Sequence, residues 1–167
     1  MKIENGVERI AWRFTKGELK SLLTLLGRTE LPGTAIRAGM PDTETLEALT
    51  EAGIVLYCGE RVLVDRAPAR VLDEAAASAR FLRLEAEGGV ALLYRGETLC
   101  VLFRDPGGAM AQLEPFRDVD SAAQQLMWIA AQLGKVSRCT LSLHGQEESG
   151  AGDAAQITSL LARLKEQ

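Results

Sequence analysis

The stretch FLRLEAEGGVALLYRGETLCVLFRDPGGAMAQLEPF, residues 81–116, decides the fold. It holds four β-prone runs (81–87, 90–96, 98–105 and 109–116) punctuated by Gly88-Gly89, Gly96-Glu97 and Pro106-Gly107-Gly108. Intervals this short leave no room for a crossover helix, so the runs predict an antiparallel meander. Downstream, Asp120 is placed to cap a helix over 121–133, with Ala122, Leu126, Ile129, Ala130 and Leu133 on one face and Gly134 as the stop. A strand follows over 136–143. The polar, Gly-rich 145–152 (GQEESGAG) reads as a flexible tether, and Asp153 as the cap of a last helix over 153–166.

Upstream, residues 7–14 alternate Ile10, Trp12 and Phe14 at a strand period. Thr15 and Glu18 have the spacing of a capping box, opening a helix with Leu19, Leu22, Leu23 and Leu26 on one side and Gly27 at its end. Asp42 or Thr43 caps a second helix with Leu46 and Leu49 inward, ending at Gly53. Runs 54–57 and 62–64 flank a Gly-containing turn and predict a hairpin, and Pro68 fits the first turn of a third helix carrying Val71, Leu72, Ala75 and Ala76. The fold class expected is α+β: N-terminal helices with a short hairpin, then an antiparallel β-meander packed by helices. The chain reads as a single domain over 1–167, with parts 1–80, 81–144, the tether and the terminal helix.

Composition narrows the chemistry. The 167 residues are 47% hydrophobic and 25% charged, the balance of a globular protein, and no apolar run approaches the ~18 residues of a membrane span. Lys and Arg number 19 against 23 Asp and Glu. Neither 1–80 nor 81–167 is basic, so no electrostatic footprint for a phosphate backbone is expected. MKIENGVERI lacks an apolar core, which predicts no signal peptide and a cytoplasmic protein. Cys58, Cys100 and Cys139 stand about 40 residues apart without C-x-x-C, so they read as buried, inert thiols within strands.

His144 is the single imidazole, and its neighbours Ser142 and Cys139 lack a nucleophile-elbow context. It reads as a surface residue at a strand end. Zinc needs more His or Cys in close spacing, and Asp105-Pro106-Gly107-Gly108 is a turn between strands, not a phosphate loop. Glu85/Glu87 and Glu147/Glu148 read as solvated carboxylates without an aromatic sugar platform. No catalytic residue, metal or cofactor is expected. One position breaks the helical pattern: Trp128 falls on the polar face of its helix, between Gln124 and Gln132 and flanked by Met127. A Trp there is either covered by the terminal helix or offered to a partner. The terminal stripe Ile157, Leu160, Leu161 and Leu164 poses the same question, since a tethered helix can dock in cis, swap into a homodimer or release to a client. Met127, Trp128, Ile157, Leu160, Leu161 and Leu164 are the candidate partner-binding residues.

Residues 14–133 together show a resemblance. FTKGELKSLLTLLGRTELPG (14–33) resembles the opening helix and Leu-Pro element of the EspG family, chaperones of type VII (ESX) secretion. LEALTEAGIVLYCGERVLVD (46–65) resembles that family's next helix and hairpin. ARVLDEAAASARFLRL and GGVALLYRGETLCVLFRDPGG resemble its later helix and antiparallel strands. The resemblance implies a cytoplasmic, non-enzymatic adaptor whose partner is a helical secretion substrate kept soluble before export. Two other readings stand beside it. An acidic α+β domain also suits an immunity or antitoxin-like protein capping a toxin. The helix–helix–hairpin order suggests a winged-helix regulator, but its reading helix, TETLEALTEA (43–52), carries three Glu and no Lys or Arg, which would repel DNA.

Overall fold

The computed structural model describes residues 2–4 and 7–167, with side chains from Ile10 onward. The elements run β1 (Lys2–Glu4), β2 (Val7–Arg9), β3 (Trp12–Thr15), α1 (Lys16–Leu25), α2 (Thr43–Glu51), β4 (Val55–Cys58), β5 (Arg61–Val64) and α3 (Arg66–Ala77). There follow β6 (Arg80–Ala86), β7 (Gly89–Arg95), β8 (Cys100–Asp105), β9 (Met110–Phe116), α4 (Val119–Gln132), β10 (Val136–Leu143), β11 (Gln146–Gly150) and α5 (Ala154–Lys165). A seven-stranded antiparallel sheet, ordered β11-β10-β6-β7-β8-β9-β3, forms the middle layer; β1-β2 and β4-β5 are separate two-stranded ribbons. The class is α+β, as the meander predicts.

Both faces of the sheet are covered, which explains why β7 and β8 read as nearly unbroken apolar runs. Along β7, Ala91 and Leu93 enter one core, while Leu92 and Tyr94 enter the other. Along β8, Cys100 and Leu102 share the first core, Val101 and Phe103 the second. The first core is closed by α4 and α5, the second by α1, α2 and α3. The helical layers are offset. Helices α1 and α3 lie over β3 and β7–β9, leaving Arg83, Glu85, Arg138 and Thr140 on the bare part of that face. On the other face α4 and α5 cover β6–β10, leaving Arg13 beside Gln112 on the β3 side.

Local signals placed most element ends. The Thr15 side chain accepts from the Glu18 amide (3.0 Å), and the Thr15 amide donates to the Glu18 carboxylate (2.9 Å), completing the capping box. Asp42 caps α2 and Asp153 caps α5. Three expectations are corrected. The α4 cap is Asp118, whose Oδ1 accepts from the Ser121 amide at 2.7 Å; Asp120 sits inside the first turn. The strand read over 7–14 is split, with Ile10 exposed at the break and only Phe14 buried in the core. The opening segment read for a signal peptide includes Met1, Asn5 and Gly6, outside the described residues.

The third correction concerns the tether. Residues 145–152 carry β11, which pairs with β10 from Leu143↔Gln146 to Cys139↔Gly150. The two-residue loop His144-Gly145 has both φ angles positive (51° and 84°), the geometry of a tight hairpin turn. Composition suggested flexibility, but here glycine serves close packing. The Gln156 side chain lies where a Cβ on Gly150 would stand and accepts from the Ala151 amide (2.9 Å). Glu148 pairs with Arg163 of α5, tying the strand to the helix it precedes.

Candidate functional site

The expected partner-binding stripe on α5 is core. Ile157, Leu160, Leu161 and Leu164 pack against β6, β10 and α4 together with Leu82, Leu84, Cys139 and Leu141. The helix docks in cis because its stripe matches the apolar face of the strands just before it. Its C-terminal carbonyls are also held: Arg95 Nη1 donates to the oxygens of Leu164 (2.7 Å) and Lys165. Met127 is half-buried on the α5 side of α4. Of the six candidates only Trp128 is open to solvent, at 48% exposure. It lies on the solvent side of α4, one turn from Gln132, whose side chain accepts from Arg104.

The hairpin β4-β5 holds the exposed apolar side chains that pattern reading passed over. Its register pairs Val55 with Val64, Leu56 with Leu63 and Tyr57 with Val62. Val55, Val62 and Val64 turn toward the core of α1–α3 and anchor the ribbon. Leu56 and Leu63 are directly opposed on the outer face, each 45% exposed, and Tyr57 near the tip is 54% exposed. An isolated two-stranded ribbon is marginal in water and depends on that anchoring face. The signal was present in LYC and RVLV, where both alternating sets are apolar although only one can be buried. Cys58, expected to be a buried thiol, is exposed at the end of β4, whereas Cys100 and Cys139 are buried. Burial is the main cause that raises the Cys100 pKa, keeping it a thiol.

His144 occupies the exposed turn between β10 and β11, and its amide donates to Ala79 O at 2.7 Å. Neighbouring Ser142 is buried on the strand. The Tyr94 hydroxyl, buried between β7 and the 31–36 loop, donates to Pro32 O. Burial pushes its pKa far up, so it remains a neutral donor. Among the described residues no group of three or more His, Cys, Asp or Glu is placed to hold a metal ion, and no helix is long and apolar enough to cross a membrane. The chain matches no protein-family model and no curated protein.

Proposed function

We propose that the protein is a cytoplasmic, non-enzymatic adaptor that binds a helical protein client, in the manner the EspG resemblance implies. The observation that carries the reading is the outer face of β4-β5, where Leu56 opposes Leu63 and each is 45% exposed. Contiguous exposed apolar side chains of this kind favour a protein partner over bulk water. An apolar helix stripe laid on that face would bury both leucines. Trp128 offers a second anchor on the opposite face of the sheet. The exposed side of α2 carries Glu44, Glu47 and Glu51, which supports a protein partner over a nucleic acid.

The test uses the protein as bait in the native cytoplasm, alongside the double variant Leu56→Ser/Leu63→Ser and the single variant Trp128→Ala. The expected result is a helical client that stays soluble with the wild type and is lost with the double variant, while circular dichroism shows both variants folded. Retention of the same client by the double variant would overturn the hairpin as its site. Capture of an enzyme that the bait inhibits would replace the chaperone reading with the immunity-protein one.

A further inference from the structure

Five of the chain's fourteen arginines gather around one cleft. Arg66 and Arg70 project one turn apart from α3, Arg80 begins β6, Arg95 ends β7, and Arg28 follows α1; together they border a cavity of about 510 Å³. We propose that this cleft binds a small phosphorylated anion. The site stands apart from the hairpin and does not rest on the adaptor reading.

The carboxylates in the cleft are largely engaged. Asp73 takes the Arg28 Nε at 3.0 Å. Glu74 takes the Thr98 hydroxyl at 2.5 Å and the Thr98 amide at 3.2 Å. Burial pushes the Glu74 carboxyl up, but the combined hydrogen bonds from Thr98 and the Leu99 and Glu97 amides outweigh it and hold the group below its ordinary value. Glu97 is exposed and stands 3.9 Å from Arg80. The arginines are less well matched. Arg95 spends its donors on the α5 carbonyls, and Arg70 donates to the Thr98 hydroxyl at 3.1 Å. Among the described residues Arg66 has no hydrogen-bond or ion-pair partner. The cleft thus holds a surplus of two positive charges on a chain whose net charge is −4.

Geometry selects the ligand class. Two guanidinium forks on successive turns of one helix present paired N–H groups, which suit phosphate oxygens better than a single point charge does. The walls between them include Ala69, Ala77 and Ala79; no Phe, Tyr or Trp lines the cleft and its one ring is the exposed His144, so the phosphate is the group the arginines recognise. The volume lies within the range of small-molecule sites.

Calorimetric titration of the whole chain with pyrophosphate at low ionic strength tests the proposal, with sulfate and chloride at matched ionic strength as comparators. Saturable pyrophosphate binding is expected, weaker for sulfate and absent for chloride. Arg66→Gln/Arg70→Gln should weaken it by about tenfold or more, because charge-assisted hydrogen bonds are lost. Arg117→Gln, an exposed arginine outside the cleft, should leave it unchanged. Both arginines of the double variant are exposed on α3, so its melting temperature without ligand should match the wild type. Should the double variant fail to fold, Arg70→Lys, which keeps the charge and loses the fork, should still weaken binding. Absence of saturable binding, equal binding by the cleft variant, or equal weakening by Arg117→Gln would each overturn the site.

Discussion

The two faces of the central sheet are built on different terms. On the α4/α5 face, the buried residues of both helices join those of the strands in one core, and α5 arrives directly after the strand pair it covers. On the α1–α3 face the cover comes from shorter helices, the 28–42 loop and a detached ribbon, and only Leu49 of α2 is fully buried. That looser assembly leaves Leu56, Tyr57 and Leu63 exposed, and the arginine cleft opens beside α3. One face closes the fold; the other has surface to spare for binding.

The sharpest way to break this contrast is to remove α5. Burying a large aliphatic side chain contributes roughly 1.5–3 kcal/mol, so Ile157, Leu160, Leu161 and Leu164 together rival the ~5–15 kcal/mol net stability of a domain. A chain ending at Gly152 should lose cooperative thermal unfolding and aggregate on size-exclusion chromatography. Leu160→Ala alone should cost about 2–5 kcal/mol in chemical denaturation. A truncated chain that stays monomeric and melts cooperatively near the wild-type temperature would make α5 an accessory helix and reopen the idea of its release to a client.

A smaller effect is expected from the loop that plugs the other face. Leu31 is fully buried, and Gly33 (φ 77°) packs so closely that a Cβ would stand 2.6 Å from Phe81 Cε2 and 2.7 Å from Leu92 Cδ2. Gly33→Ala combines left-handed backbone strain with that overlap and should destabilise by about 2–3 kcal/mol. Tyr94→Phe, which leaves Pro32 O without its donor, should cost about 1–3 kcal/mol. If both changes are silent in urea unfolding, the loop is ornamental and the α1–α3 core is held by its helices alone.

Much of this was legible in local pattern. The capping box at Thr15 and Glu18, the meander over 81–116 and the stripes of α1, α3, α4 and α5 follow from side-chain period and cap chemistry. What escaped was set by tertiary contact. Gly-rich 145–152 became a strand because Gln156 and Arg163 close over it, a pairing that composition does not encode. The α5 stripe was legible as apolar, but its partner surface on β6 and β10 could not be read from the helix itself. For the same reason pattern alone does not fix the exposure of Trp128, Leu56 or Leu63: in a hairpin with apolar residues on both faces, the anchoring layer decides which face is buried. The cleft's arginines come from the loop after α1, from α3, β6 and β7, positions 28 to 95, and no sequence spacing announces it.

The smallest expected effects compare the faces through their helix caps. Asp42 on α2 and Asp118 on α4 both have lowered pKa values, caused first by the backbone amide hydrogen bonds of Thr45 and Ser121 and then by the side-chain hydroxyls. A carboxyl whose pKa falls on folding stabilises fully above its unfolded value, about 3.9. That contribution drains away as pH falls through this value and then through the lower folded one. Asn caps a helix about as well without titrating, so Asp→Asn variants should match the wild type near neutral pH and show a flatter acid response. Helix α4 buries five residues in the closed core, so Asp118→Asn should flatten the acid limb of the global melting curve. Helix α2 is held by little more than Leu49, so Asp42→Asn should alter only hydrogen exchange over Thr43–Glu51 in acid, with the global melt unmoved. Equal effects of the two variants on global melting would mean that both faces unfold as one unit and that the looser face is no more separable than the closed one.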